Sequence, residues 1–260
     1  EGHCDFTTDG SWALQLRNLT VDRLRADHDL LTALPPTLKR GISQIKPSGP
    51  INLRGSVTFA RPGSLNAELQ TQWDVVADLM QNHIDCGERF EHLFGSVQLM
   101  GSSVGERFTS RGELALDSLF YRNFQFTEVL GPLYIDNTRI AFGGWAEATR
   151  PGYNSRRITA KLGGGNCSLD AQASFADVPR YAVQAQVADA DLRLLLAENL
   201  PRSLNASGRL AADVQLEGNS RGLHTLAGRG AVRLYDADIY QLPMMVSMRR
   251  SLINTISMSK

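Results

Sequence analysis

The first residues to ask about chemistry are His83, Asp85, Cys86 and His92, which fall within ten positions of one another. These are zinc-ligand types. However, Cys86 has no second cysteine nearby, and the spacing matches no structural zinc motif. The expectation is no bound metal, with polar loop histidines and a cysteine that acts as a small buried hydrophobe. His3 and Cys4 add little to that set. Serines are many, but none sits in a Gly-x-Ser-x-Gly elbow. Gly163-Gly-Gly-Asn166 could cradle a phosphate only ahead of a helix, and a strand pattern follows it. It reads as a hairpin loop. Asp189 and Asp191 could serve as a pair of glycosidase carboxylates. Capping of a short helix by Asp191 explains them with less. Tyr235 and Tyr240 could stack on sugars, and Met244, Met245 and Met248 could form a soft binding surface or the side of a helix packed on a sheet. No catalytic residue and no cofactor is expected.

Composition narrows the partners. The 27 basic and 27 acidic residues cancel, and no block of like charge occurs beyond pairs such as Arg156-Arg157 and Arg249-Arg250. A nucleic-acid groove needs clustered cations, so no nucleic acid is expected. No apolar run reaches the roughly 18–20 residues that span a bilayer. The chain opens on Glu1 with no signal peptide, and the expectation is a piece of a longer chain. Three cysteines at positions 4, 86 and 167 leave one unpaired in any disulfide scheme, which argues against a stapled scaffold, and all three are expected as small buried hydrophobes.

The positioning elements are mostly strands. Trp12, Leu14 and Leu16 alternate with Ala13, Gln15 and Arg17. Around residues 22–45 the period lengthens, and Leu24, His28, Leu31 and Leu38 suggest short helices broken at Pro35-Pro36. Alternation then returns at Ile51–Phe59, Leu65–Leu69, Phe124–Phe126, Leu169–Phe175, Tyr181–Val187 and Val214–Leu216. Turn chemistry separates these runs at Arg61-Pro-Gly63, Gly101–Gly105, Arg150-Pro-Gly152, Gly163–Gly165 and Gly218-Asn-Ser220. Strict period two means one dry face and one wet face, which is antiparallel behaviour. One further helix fits between Asp191 and Leu200, where Leu192, Leu195 and Leu196 share a face before Pro201.

A loose motif of Gly, any residue, an aliphatic, any residue, then an apolar residue recurs at Gly55, Gly95, Gly112 and Gly230. Each glycine is expected at a strand entry or bulge. In the last copy Val232 and Leu234 share a face, and Asp236-Ala-Asp238 breaks the parity. Pro243 then opens an amphipathic helix through Met244, Leu252 and Ile256. With few helices available, either two sheets cover each other as a sandwich or one sheet curls over its own apolar face. Small residues at Ala171, Ala173, Ala185 and Ala231 leave room on that face. A curled sheet would put Leu169, Ala171, Ala173, Val183, Ala185, Val187, Val214, Leu216, Val232 and Leu234 on one concave surface that could hold lipid chains. Asp170, Gln172, Gln184, Gln186 and Gln215 would face water.

The passages Val187–Leu192, Gly208-Arg-Leu210, Val214–Gly218, Leu226–Gly230 and Asp236–Pro243 resemble the C-terminal part of the AsmA-like family of bacterial envelope proteins. The resemblance is firmest over residues 163–248 and extends more weakly back to Ile51. That family is similar to the repeating β-groove lipid-transfer proteins. The resemblance implies a mainly β fold, an elongated, curled antiparallel sheet forming an open groove, with a few short helices. It implies residues 1–50 as a mixed strand and short-helix segment continuing an upstream part, and residues 51–260 as the β-groove region. It also implies an inner-membrane anchor upstream, a periplasmic body, phospholipid acyl chains as ligand, envelope protein partners, and a part in outer-membrane lipid homeostasis. Met248-Arg-Arg-Ser251 departs from the more apolar helix such a family end would carry. Two alternatives from the residues alone are a structural or adhesive β-sandwich without ligand, and a carbohydrate-active β-protein using Asp189 and Asp191.

Overall fold

The computed structural model describes residues 2–33, 39, 42–43, 45–63, 67–85, 88–148, 155–197 and 207–238. The helix expected after Pro243, and with it Tyr240 and the methionines at 244–248, lies outside these residues.

Thirteen strands form one antiparallel sheet: β1 Gly2–Phe6, β2 Trp12–Leu24, β3 Ile51–Arg61, β4 Gln70–Asp85, β5 Arg89–Val104, β6 Arg107–Tyr121, β7 Phe124–Asp136, β8 Arg139–Phe142, β9 Ile158–Leu162, β10 Gly165–Ser174, β11 Arg180–Asp191, β12 Ser207–Asn219 and β13 Ala227–Asp238. Among the described residues the α-helices with defined bounds are short: α1 His28–Ala33, α2 Gly144–Glu147 and α3 Leu192–Ala197. The protein is mainly β, and its single sheet is curled and elongated. Strands follow one another in sequence order, and β1 and β13 do not pair, so the sheet does not close into a barrel. No second sheet is present among the described residues. β1 and β2 pair onward to β3, so the first fifty residues supply strands to the same sheet.

Only one position departs from the simple order. Between β7 and β10 stand two short strands end to end, β8 beside the C-terminal part of β7 and β9 beside its N-terminal part. Pro132 lies at their junction. Its carbonyl accepts the Gly143 N–H at 2.9 Å, so its backbone faces the interrupted position. A proline is tolerated inside a central strand there because the N–H it lacks has no strand partner to lose. The chain between β8 and β9 carries α2, which packs through Trp145 and Ala146 on Tyr134 and Ala141.

The register shows how far the two faces stay distinct. Gly55, Val75, Leu99, Gly112, Leu133, Phe142, Ala171, Val183, Leu216 and Gly228 oppose one another in succession from β3 to β13. At ~4.8 Å per strand this apolar row crosses roughly 45 Å of sheet. Parallel rows lie on both sides of it. The glycines at 55, 95, 101, 112, 131, 165, 218, 228 and 230 all occupy this face. Side chains crowd on the inside of a bend, so glycine there lets the sheet curl toward its apolar side. Gly165 and Gly228 stand at strand entries and Gly95 at a register shift, as expected of a strand entry or bulge, whereas Gly55, Gly101, Gly112 and Gly131 lie within their strands. Likewise Gly101–Val104 belongs to β5, and only Gly105 lies in the turn. The motif was read as punctuation because the strands are longer than the alternating runs that reveal them.

The runs look short because bulges reverse their parity. Asn18, Arg23, Gln81, His92, Glu128, Asp189 and Asp236 have φ between 48° and 62°. Each coincides with a register shift at which its own strand carries one more residue than its partner. Apolar residues at Val75, Ala77 and Leu79 are followed past Gln81 by Ile84, and Val187 is followed past Asp189 by Ala190. An extra residue in each strand thus keeps apolar side chains on the same face. Apart from Asn18, these bulges lie toward one end of the sheet. That end also carries α1, α3 and the β4–β5 connection. Asp22 and Leu24, expected in a helix, are the bulged end of β2.

The densest core lies beside those bulges. Leu93, Leu116, Val129 and Ile158 are 3–6% exposed, with Ile84, Phe90, Leu119 and Phe126 packed on them from beyond the bulges and Leu79, Val97 and Leu169 from the near side.

Candidate functional site: the apolar face and its surroundings

All ten residues expected on one surface lie at matched register positions. Leu169 opposes Ala185, which opposes Val214, and Ala171 opposes Val183, which opposes Leu216. Ala173 opposes Tyr181, Val187 opposes Ala212, Ala212 opposes Val232, and Leu210 opposes Leu234. Those on β10, β11 and β12 are half-buried, whereas Val232 is 63% and Leu234 39% exposed on the last strand. This part of the face carries Ala and Gly where the central strands carry Leu and Phe, and it is correspondingly open. Trp73 lies on the same face further back. Its indole passes over Gly101, where a Cβ would meet the ring at 2.5 Å. Its Nε1–H donates to Ser110 Oγ at 3.2 Å, and Ser110 in turn donates to the Met100 carbonyl. The buried Ser110 hydroxyl is therefore satisfied within the protein.

The opposite face is polar but not uniformly wet. Gln186 and Gln215 are exposed as expected. Gln172 and Gln184 are half-buried, and Asp170 is 8% exposed. Asp170 is covered because the α2 excursion folds onto it. Its Oδ1 accepts the Gly144 N–H at 2.7 Å, and its Oδ2 accepts Arg157 Nε at 2.8 Å. Arg157 donates further to Ser168 Oγ, Gln186 Oε1 and the Gln184 carbonyl. Alternation alone could not foresee this, since the covering layer comes from an interrupted strand position. Two shallow depressions of ≈ 290 and ≈ 440 Å³ also lie on the polar face and share Gln186. Their walls mix amides, hydroxyls and charges with apolar atoms, and the larger one includes Leu130, Ala160 and Ala188.

The other candidates resolve locally. The His83 and His92 rings meet edge to face at 5.5 Å, and His92 also meets Phe120. The His92 N–H points at His83 Nδ1 at 3.4 Å. Cys86 lies outside the described residues. Among the described residues no group of three or more His, Cys, Asp or Glu could hold a metal ion. Cys167 is buried on the apolar face, and burial raises its thiol pKa, only partly offset by the positive charge of Arg157. Cys4, expected to be buried, is exposed because it lies on the edge strand β1. Asp191 caps α3, accepting the Arg193 N–H at 2.8 Å. Asp189 is the bulge residue of β11 and pairs with Arg209 at 3.2 Å, both exposed. Gly163 and Gly164 form the β9–β10 turn. Tyr235 is 49% exposed on the polar side of β13. No helix of the described residues is long and apolar enough to cross a membrane. No protein-family profile, no curated protein and no solved structure matches the chain.

Proposed function

We propose that the chain is a bacterial envelope module that binds or conducts phospholipid along its apolar face, in outer-membrane lipid homeostasis, and that it is not an enzyme. The observation that carries this reading is the apolar row that continues from β3 to β13 with no second sheet against it among the described residues. Burial of apolar surface is worth about 25 cal/mol per Å², so such a face is costly to leave wet over this length. Acyl chains supply a fluid, shape-tolerant cover. The resemblance of the C-terminal passages to AsmA-like proteins agrees with this and adds a periplasmic location, an upstream inner-membrane anchor and envelope protein partners.

The test combines copurification with site-specific quenching. Mild purification followed by mass spectrometry should recover phospholipid. Lipids brominated on the acyl chain should quench Trp73, which lies on the apolar face, and spare Trp145, which lies on the polar side. Ala171→Arg, Ala185→Asp and Val214→Glu should each retain a folded sheet and lose the lipid, because charge on an open face can still reach water. Folded variants that keep their full lipid complement sink the proposal. Unfolding of all three would favour a closed, ligand-free core.

A further inference from the structure

Among the described residues the last strand has a neighbour on one side only, which leaves a long edge. β13 runs for 12 residues, and all but Ala237 are exposed. An edge strand presents a row of unpaired N–H and C=O groups, and proteins blunt such edges with proline, lysine, inward charge or a short strand. From Ala227 to Tyr235 this strand has no proline or lysine, its charges Arg229 and Arg233 both lie on the polar face, and its one bulge comes at Asp236. The opposite edge, β1, has only 5 residues.

We infer that β13 pairs antiparallel with β13 of a second copy, about a two-fold axis at Val232. The choice of partner and register follows from the side chains. Apolar must oppose apolar across the joint, so a one-residue slip that puts one face against the other is excluded. An axis at Ala231 would set Arg229 against Arg233 of the other copy. An axis at Arg233 would set that residue against itself, and like charges directly opposite destabilise a pair. With the axis at Val232, Val232 meets its own mate and Leu234 fills the space over Gly230. Arg229 comes opposite Tyr235, suited to a cation–π contact. Pairing of β13 with β1 of another copy, being head-to-tail, would propagate into filaments. The two-fold joint closes. It also sets the two apolar faces side by side, so one continuous surface crosses both chains. This inference rests on the edge and its register, and it stands whether or not the surface carries lipid.

Light scattering of the purified chain across a concentration series should give twice the 28.6 kDa chain mass. Val232→Lys places two like charges on the axis. Because Val232 is 63% exposed, the fold should be retained, with an unchanged circular dichroism spectrum. Its dimer should weaken by about tenfold or more. In a Cys4→Ser background, Val232→Cys should cross-link to itself under mild oxidation, whereas Ala231→Cys, which faces Arg233 of the other copy, should not. A monomer at every concentration overturns the inference. So do a dimer indifferent to Val232→Lys, filaments of indefinite mass, or cross-linking through Ala231→Cys in place of Val232→Cys.

Discussion

The central strands and the C-terminal strands obey the same alternation, yet only the centre is dry. On β5, β6, β7 and β9, Leu93, Leu116, Val129 and Ile158 are almost fully hidden. On β13 Val232 is 63% and Leu234 39% exposed in matching positions, although the pairing from Arg209 to Glu217 is continuous. Period two decides which side a residue faces. Side-chain size and the presence of neighbours on both sides decide whether that side excludes water. In the centre, bulky residues from beyond the bulges return onto the face. At the C-terminal end Ala212, Gly228 and Gly230 offer little to return.

Glycine substitution should break this contrast most sharply. A Cβ at Gly112 would meet the Gln98 carbonyl oxygen at 1.9 Å, a backbone atom with no room to move. Gly112→Ala should cost at least about 4 kcal/mol or prevent folding. At Gly230 the nearest atom is the Asp213 carbonyl oxygen at 3.2 Å. Gly230→Ala should shift stability by less than ~1 kcal/mol, since reduced freedom of the unfolded chain offsets slight crowding. Paired thermal melts read the difference, and equal losses would mean the two regions are packed alike.

Truncation of large side chains should give the next effect. Leu116→Ala, at 4% exposure, should destabilise by about 3 kcal/mol through lost burial and a cavity. Leu234→Ala, at 39% exposure, should cost under about 1 kcal/mol. Urea titrations with an unchanged slope would test both.

The junction between the regions depends on Asp170. Asp170→Ala should cost about 2 kcal/mol, because it strips the partly buried Arg157 of its carboxylate and leaves the Gly144 N–H without an acceptor. Hydrogen exchange should then quicken around α2 while the β4–β5 hairpin is unaffected.

The smallest effect concerns acid. Burial alone would raise the Asp136 pKa, but hydrogen bonds from Thr138, the Tyr134 hydroxyl and the Arg139 N–H outweigh it and hold the carboxyl below its ordinary 3.8. A depressed folded value means its stabilisation is complete above 3.8 and lost as pH falls through the folded pKa. The β12–β13 turn uses Asn219, which does not titrate, to accept the Arg221 N–H. Asp136→Asn should therefore flatten the stability profile below pH 3.8, whereas Asn219→Ala should leave its slope unchanged.

Much of this was legible in the residues. Clean alternation at Leu169–Phe175, Tyr181–Val187 and Val214–Leu216 marked the face, and the Leu192, Leu195, Leu196 spacing with Asp191 marked α3. Strand length was not legible, because one bulge residue reverses the parity and makes a long strand look like two short runs. Asp236-Ala-Asp238 carried that signal openly. The same break at Ala188-Asp189-Ala190 was absorbed into a helix cap. Asp170 escaped for another reason, since its cover comes from residues that interrupt the sheet and leave no period at all.

The strict strand order also has a kinetic meaning. Almost every pairing joins strands that are neighbours in the chain, so each new strand docks on the one just before it and loop closure carries a small entropic toll. Such a sheet behaves as a one-dimensional lattice, in which order can start at one hairpin and spread to the next. Only β7 with β9 and β8 with β10 pair out of chain order, across the excursion that carries α2. That step divides assembly into two zippers, one running from β1 to β7 and one from β10 to β13, which meet at Arg157 and Asp170.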